Sequence, residues 1–141
     1  MVKVEVEYQG GLRCNAVHEP SSSRMLTDAP VDNHGQGASF SPTDLVATAL
    51  GTCMLTTMGI VAEREGWNLR GARVTVEKGM VQAPSRRVGR LAVTIRIPGK
   101  FDERARALLE KTALTCPVQQ SLSPAIEVPV TFEWDARPVR A

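Results

Sequence analysis

Three cysteines are the residues of this 141-residue chain best suited to do chemistry: Cys14, Cys53 and Cys116. Cys53 falls near the middle of a long apolar run, and Cys116 stands directly before Pro117, where a helix can restart. A thiol in the first turn of a helix faces free backbone amides and the positive end of the helix dipole, and both favour the thiolate. One cysteine buried in a helix and one at a helix start suit a peroxidatic and resolving pair. In that chemistry a thiolate attacks a peroxide oxygen and becomes a sulfenic acid, which the second thiol condenses into a disulfide. Sequence spacing leaves open whether the two sulfurs meet. The competing reading is packing, because free cysteine is among the most buried residue types and acts as a small hydrophobe. Cys14 shares a strand face with Leu12, Ala16 and His18 and is read as packing. A zinc site from Cys14, His18, His34 and a helix thiol lacks any short paired spacing, so no metal is expected.

The element that must position Cys53 runs from Ser41 to Gly66. Ser41 and Asp44 have capping-box spacing, Pro42 occupies the first helical position, and Gly66 is a natural left-handed stop. The helix is about 24 residues, or roughly 36 Å, which exceeds the usual diameter of a small domain. Val46, Leu50, Cys53, Met54, Thr57 and Val61 recur at helical spacing, which sets the Cys53 thiol on an apolar face. Gly51 and Gly59 each cost about 1 kcal/mol against alanine inside a helix, so another backbone is expected to come close. Before this helix, Val2 to Tyr8, Leu12 to Glu19 and Arg24 to Thr27 read as strands, with Gly10-Gly11 as a turn. Asp28 to Ser39 is a polar loop leading into the helix. After it, Leu69 to Val81 and Val88 to Ile97 form a hairpin whose tip carries Arg86, Arg87 and Arg90, read as a solvated turn. Asp102 caps a second helix with an Ala105, Leu108, Leu109 and Ala113 stripe. Cys116-Pro117 interrupts it, Val118 to Leu122 adds a further turn or two, Ile126 to Phe132 is a last strand, and Asp135 to Ala141 is a frayed tail. The order predicts one α+β domain over 1–141, with antiparallel pairing the default. Six short strands and one other helix give too little cover for so long an apolar helix, and a homodimer sharing it is the natural remedy.

A net charge of +2, six aromatics and the absence of a Gly-rich phosphate loop argue against nucleic-acid binding. No apolar run is read as reaching the roughly 18 residues of a membrane span, and the start MVKVEVEYQ does not read as a signal peptide. Three widely spaced cysteines are no secreted disulfide framework, so a soluble, cytoplasmic protein with reduced thiols is expected.

Two segments carry a family resemblance: Pro42-Thr43-Asp44-Leu45 through Ala47, Ala49 and Gly51 to Cys53, and Thr115-Cys116-Pro117-Val118-Gln119-Gln120-Ser121-Leu122. Together, with the matching order of elements, they resemble the OsmC/Ohr family (osmotically inducible protein C and organic hydroperoxide resistance proteins). The resemblance implies an intertwined homodimer with two long central helices wrapped by antiparallel sheets. It also implies thiol-dependent reduction of organic hydroperoxides, with no cofactor and with a lipoyl or other dithiol protein as reductant. On that pattern Cys53 is the peroxidatic cysteine and Cys116 the resolving one. The chain departs from the pattern at two places. The family's glutamate after the helix-opening proline is Thr43, with Asp44 one residue late, and the loop Val31-Asp32-Asn33-His34-Gly35 lacks the family's arginine. Asp44, His34 and, from the preceding strand, Arg24 are the candidates to activate the thiol, while Asp44 also suits the capping box and His34 an idle loop position. The alternative from another functional class is a non-catalytic binding protein that holds a hydrophobic small molecule on the same dimeric fold.

Overall fold

The computed structural model describes residues 1–135. The expected tail therefore lies, from residue 136 onward, outside the described residues. The chain divides into two compact units, Met1–Val46 and one beginning at Ala47.

The first unit is an antiparallel meander of β1 (Val4–Gly10), β2 (Arg13–His18) and β3 (Ser23–Asp28). The register sets Val4, Val6 and Tyr8 opposite His18, Ala16 and Cys14, and Ala16 opposite Met25, so one face is largely apolar. Val4, Val6 and Tyr8 are nevertheless 56, 60 and 63% exposed, although strict alternation predicts a half-buried strand. The following loop closes on itself. The amides of Ala29 and Gly37 donate to the carbonyls of Leu12 and Ala29, and Asp28 N–H donates to Phe40 O. A Cβ at Gly35 would run into the Ala29 carbonyl, which is why glycine stands there.

Helix α1 spans Pro42–Glu65. Its start is the expected capping box: Asp44 N–H donates to Ser41 Oγ (3.1 Å) and Ser41 N–H to Asp44 Oδ2 (2.9 Å). Its end is the expected glycine stop. Gly66 is left-handed (φ 76°), and Trp67 N–H reaches back to Ala62 O at 2.8 Å. One expectation is corrected here. By length and composition α1 is apolar enough to cross a membrane, with mean hydropathy 1.8 over its most apolar stretch, 39% of which is buried within the chain. Its threonines and glycines do not lower the mean enough to fail that test, and a buried core helix passes it too.

In the second unit β4 (Arg73–Val81), β5 (Arg87–Ile97) and β6 (Val130–Trp134) form a sheet with β5 central, and α2 (Glu103–Leu114) and α3 (Pro117–Ser121) connect β5 to β6. Leu91, Val93, Ile95 and Ile97 form the buried face of β5, and Leu50, Met54 and Met58 of α1 with Ala105, Leu109 and Ala113 of α2 complete the core. The methyls of Val74 and Val76 would lie 3.1 Å from a Cβ at Gly51, so Gly51 admits β4 side chains against the helix, where a close backbone was expected. A Cβ at Gly59 would meet nothing within 4 Å.

The sheet is mixed. Pairing of β4 with β5 is antiparallel, as expected, but β6 runs parallel to β5, Val93 opposite Val130. The connection through α2 and α3 is a helical crossover, which returns the chain to pair in the same direction. β6 also starts four residues later than the alternation suggests, because Pro129 has no amide to donate. Glu127 makes only an isolated bridge to Arg90, and Arg90 is drawn off the hairpin tip into an ion pair with Glu127 at 3.0 Å. Trp67, Phe101, Phe132 and Trp134 close one end of this unit, with Trp134 Nε1 donating to Glu110 at 2.9 Å.

Candidate functional site

Cys53 lies in the middle of α1, between exposed Thr52 and fully buried Met54, and is itself half-buried. Cys116 occupies the break between α2 and α3. Pro117 disfavours the helical conformation in the residue before it, and Cys116 is accordingly extended (φ −63°, ψ 150°). Its amide still donates to Ala113 O (3.3 Å), so the sulfur turns inward and Cys116 is 1% exposed. The sulfur then acts as the cap of α3, accepting from Gln119 N–H at 3.4 Å.

The structure brings the two thiols together. Cys53 is the neighbouring side chain that raises the Cys116 thiol, and neither thiol is in a disulfide. The amides at the helix start do pull the Cys116 thiol down, as expected, but they do not decide its net direction. Burial pushes the Cys116 thiol above its ordinary 9.0, outweighing the Gln119 amide that pulls it down, and the neighbouring Cys53 pushes it further up. A sulfur enclosed by protein loses more to desolvation than the amides of Gln119 and Val118 return. Cys116 is therefore a protonated, enclosed thiol, and Cys53 is the member of the pair with access to a reagent from outside.

The other expected residues lie in the first unit. Asp44 holds its carboxylate at the helix cap, with Thr43 Oγ1 3.3 Å from Ser41 Oγ beside it. His34 is exposed and left-handed (φ 70°) at the end of a short turn, Val31–Asn33. Arg24 is exposed on β3, opposite Val17. Cys14 is half-buried between Tyr8 and Thr27. Among the described residues no three His, Cys, Asp or Glu side chains gather to hold a metal ion.

Sequence reasoning missed an arginine–carboxylate pair. Asp28, 1% exposed, accepts from Ala38 N–H (3.0 Å), and Arg13 Nη2 lies 3.7 Å from the same oxygen and donates to Gln36 Oε1 at 3.1 Å. The Ala38 amide holds the Asp28 carboxyl below its ordinary 3.8 against the opposing cost of burial, with Arg13 and the amides of Ala29 and Gln36 adding to the effect. This pair ties the loop before α1 to β2. Its one sequence signal is an aspartate opening a Gly- and Asn-rich loop. Gln119 was also missed, although the rule that a cap side chain accepts from the third helical amide points to it.

Residues 35–131 match the family model described as OsmC-like protein. A solved structure of a proposed osmotic stress induced and detoxification response protein from Psychrobacter arcticus is 42% identical, covering 94% of this chain and 96% of that one, with a TM-score of 0.89. An organic hydroperoxide resistance protein OsmC from Legionella pneumophila, described as a predicted redox protein and regulator of sulfide bond formation, shares the fold at 17% identity. It covers 94% of this chain and 96% of that one, with a TM-score of 0.76. An organic hydroperoxide resistance protein from Elizabethkingia anophelis does so at 19% identity over 94% and 95%, with a TM-score of 0.74. No curated protein matches the sequence.

Proposed function

The chain belongs to the OsmC-like protein family, and from that premise we propose that it is a homodimeric, cysteine-based peroxidase for hydrophobic organic hydroperoxides, acting in oxidative-stress defence. The observation that carries the reading is the half-exposed Cys53 neighbouring the enclosed Cys116. In the first half-reaction the Cys53 thiolate attacks the terminal oxygen of ROOH. The O–O bond breaks, the alkoxide RO⁻ leaves and takes up a proton to become ROH, and Cys53 becomes a sulfenic acid. In the second, Cys116 sulfur attacks Cys53 sulfur, the S–O bond breaks, and the oxygen leaves as water with the Cys116 proton. An external dithiol, of the lipoyl-protein type, returns both thiols and is itself oxidised to the disulfide. Burial of Cys116 suits this order, because an enclosed thiol is spared direct oxidation and meets only its neighbour. No step is assigned to Asp44, which caps the helix, or to His34.

The homodimer reading is supported by surfaces this chain leaves open. Thr52, Thr56 and Ile60 form an exposed stripe on α1, Ile60 being 60% exposed, and a Cβ at Gly59 would meet nothing within 4 Å. A second copy covering that stripe would also wall the site against water and give the organic tail an apolar surface. Three cysteines outside any disulfide suit a reducing compartment, and we place the protein in the cytoplasm. The competing reading, a non-catalytic binder of a hydrophobic molecule, draws on the threonine at position 43 and the loop without arginine.

The test is turnover of cumene hydroperoxide against hydrogen peroxide with dihydrolipoamide as reductant. The peroxidase reading expects faster turnover of the organic peroxide and complete loss in Cys53→Ser. Full turnover in Cys53→Ser would refute it, and an inert wild-type thiol would favour the binder.

A further inference from the structure

We propose that the side-chain amide of Gln119 holds the hydroxyl of the Cys53 sulfenic acid and directs the second half-reaction, a role that rests on the peroxidase reading above. The Gln119 backbone is fixed beside Cys116, its N–H donating to Cys116 Sγ at 3.4 Å. Its Oε1 is buried, yet no donor among the described residues reaches it. Only one other buried side-chain oxygen among the described residues shares that condition, Asp28 Oδ1 in the loop tie of the first unit. A buried carbonyl without a donor destabilises the state that contains it, and native proteins tolerate few. The resting thiols offer only weak S–H donors. Oxidation of Cys53 changes the local inventory by creating an S–O–H group next to Cys116, with a strong donor and an acceptor on one oxygen. Either orientation of the glutamine amide can bind that hydroxyl.

Such a hydrogen bond has a chemical consequence. Disulfide formation requires Cys116 sulfur to approach along the line of the breaking S–O bond, and the departing oxygen must collect the proton that Cys116 retains. An amide that anchors the hydroxyl fixes both the S–O direction and the oxygen that receives the proton. The first half-reaction, in which no sulfenic hydroxyl yet exists, does not use this contact.

The experiment compares wild type with Gln119→Met, and with Gln119→Leu as a second apolar variant, after mixing reduced protein with one equivalent of cumene hydroperoxide. Sulfenic acid is followed by dimedone trapping, disulfide by loss of free thiols, and folding by thermal denaturation. The expected result is an unchanged rate of sulfenic acid formation, disulfide formation slowed about tenfold or more, and a melting temperature equal to or above wild type. Wild-type disulfide kinetics in the folded variants would overturn the inference and leave the peroxidase reading standing. Equal slowing of both steps with a lower melting temperature would also overturn it, by showing a structural role. A wild-type protein that forms neither sulfenic acid nor disulfide would remove the peroxidase reading and this role with it.

Discussion

Gly51→Ala sets two effects of known size against each other, two residues before Cys53. Alanine in a helix interior is favoured over glycine by about 1 kcal/mol. The new Cβ, however, would lie 3.1 Å from both Val74 Cγ1 and Val76 Cγ2, with Val74 Cγ2 at 3.6 Å. Carbon pairs prefer about 3.5–4.0 Å. β-branched side chains have few alternative rotamers, so neither valine can step aside freely. Relief must come from moving α1 off β4, an overpacking cost of about 1–3 kcal/mol. The net expectation is a loss of about 1 kcal/mol, or roughly 3–5 °C in melting temperature for a chain of this size. Because the displaced turn carries Cys53, disulfide formation after peroxide treatment should slow as well. The assay is thermal denaturation of Gly51→Ala with and without Val76→Ala, which frees one of the two contacts. Partial recovery in the double variant is expected. A melting temperature above wild type in Gly51→Ala alone would refute the reasoning, because it would mean that helix propensity outweighs the packing.

Other expectations follow from the same geometry. Asp28 has its carboxyl held below 3.8, so its contribution to stability is present above that pH and is lost as pH falls through the folded value. Cys116 is raised above 9.0, so its contribution is present below that pH and is lost as pH rises through the folded value. Melting curves should therefore weaken at both ends, with Asp28→Asn flattening the acid limb and Cys116→Ser the alkaline one. Ile60→Asp, at a 60% exposed position on α1, should convert the proposed dimer to monomer at micromolar concentration in sedimentation velocity. Ser41→Ala removes one half of the capping box and should cost about 1 kcal/mol in denaturant melts.

What could be read from the residues was whatever local rules govern. The start and end of α1 follow from Ser41, Pro42, Asp44 and Gly66, and the α2–α3 break follows from Pro117 acting on Cys116, all local backbone chemistry. The direction of β6 was not legible, because alternation along Ile126 to Phe132 says nothing about which way the neighbouring strand runs. The net direction of the Cys116 thiol was not legible for a related reason. The amide at its sulfur is a local feature and was foreseeable, whereas the desolvation that outweighs it depends on what the whole unit packs around the thiol. The Arg13–Asp28 tie joins residues of separate strands, and their meeting depends on strand register rather than on any local spacing.

The central claim is that Cys53 and Cys116 form one reactive pair. The most direct test is non-reducing peptide mass spectrometry of fully reduced protein after one equivalent of an organic hydroperoxide. The account predicts a rapid Cys53–Cys116 linkage, absent in either serine variant, with Cys14 unmodified. Oxidation scattered over all three cysteines, or Cys14 modified as fast as Cys53, would contradict it.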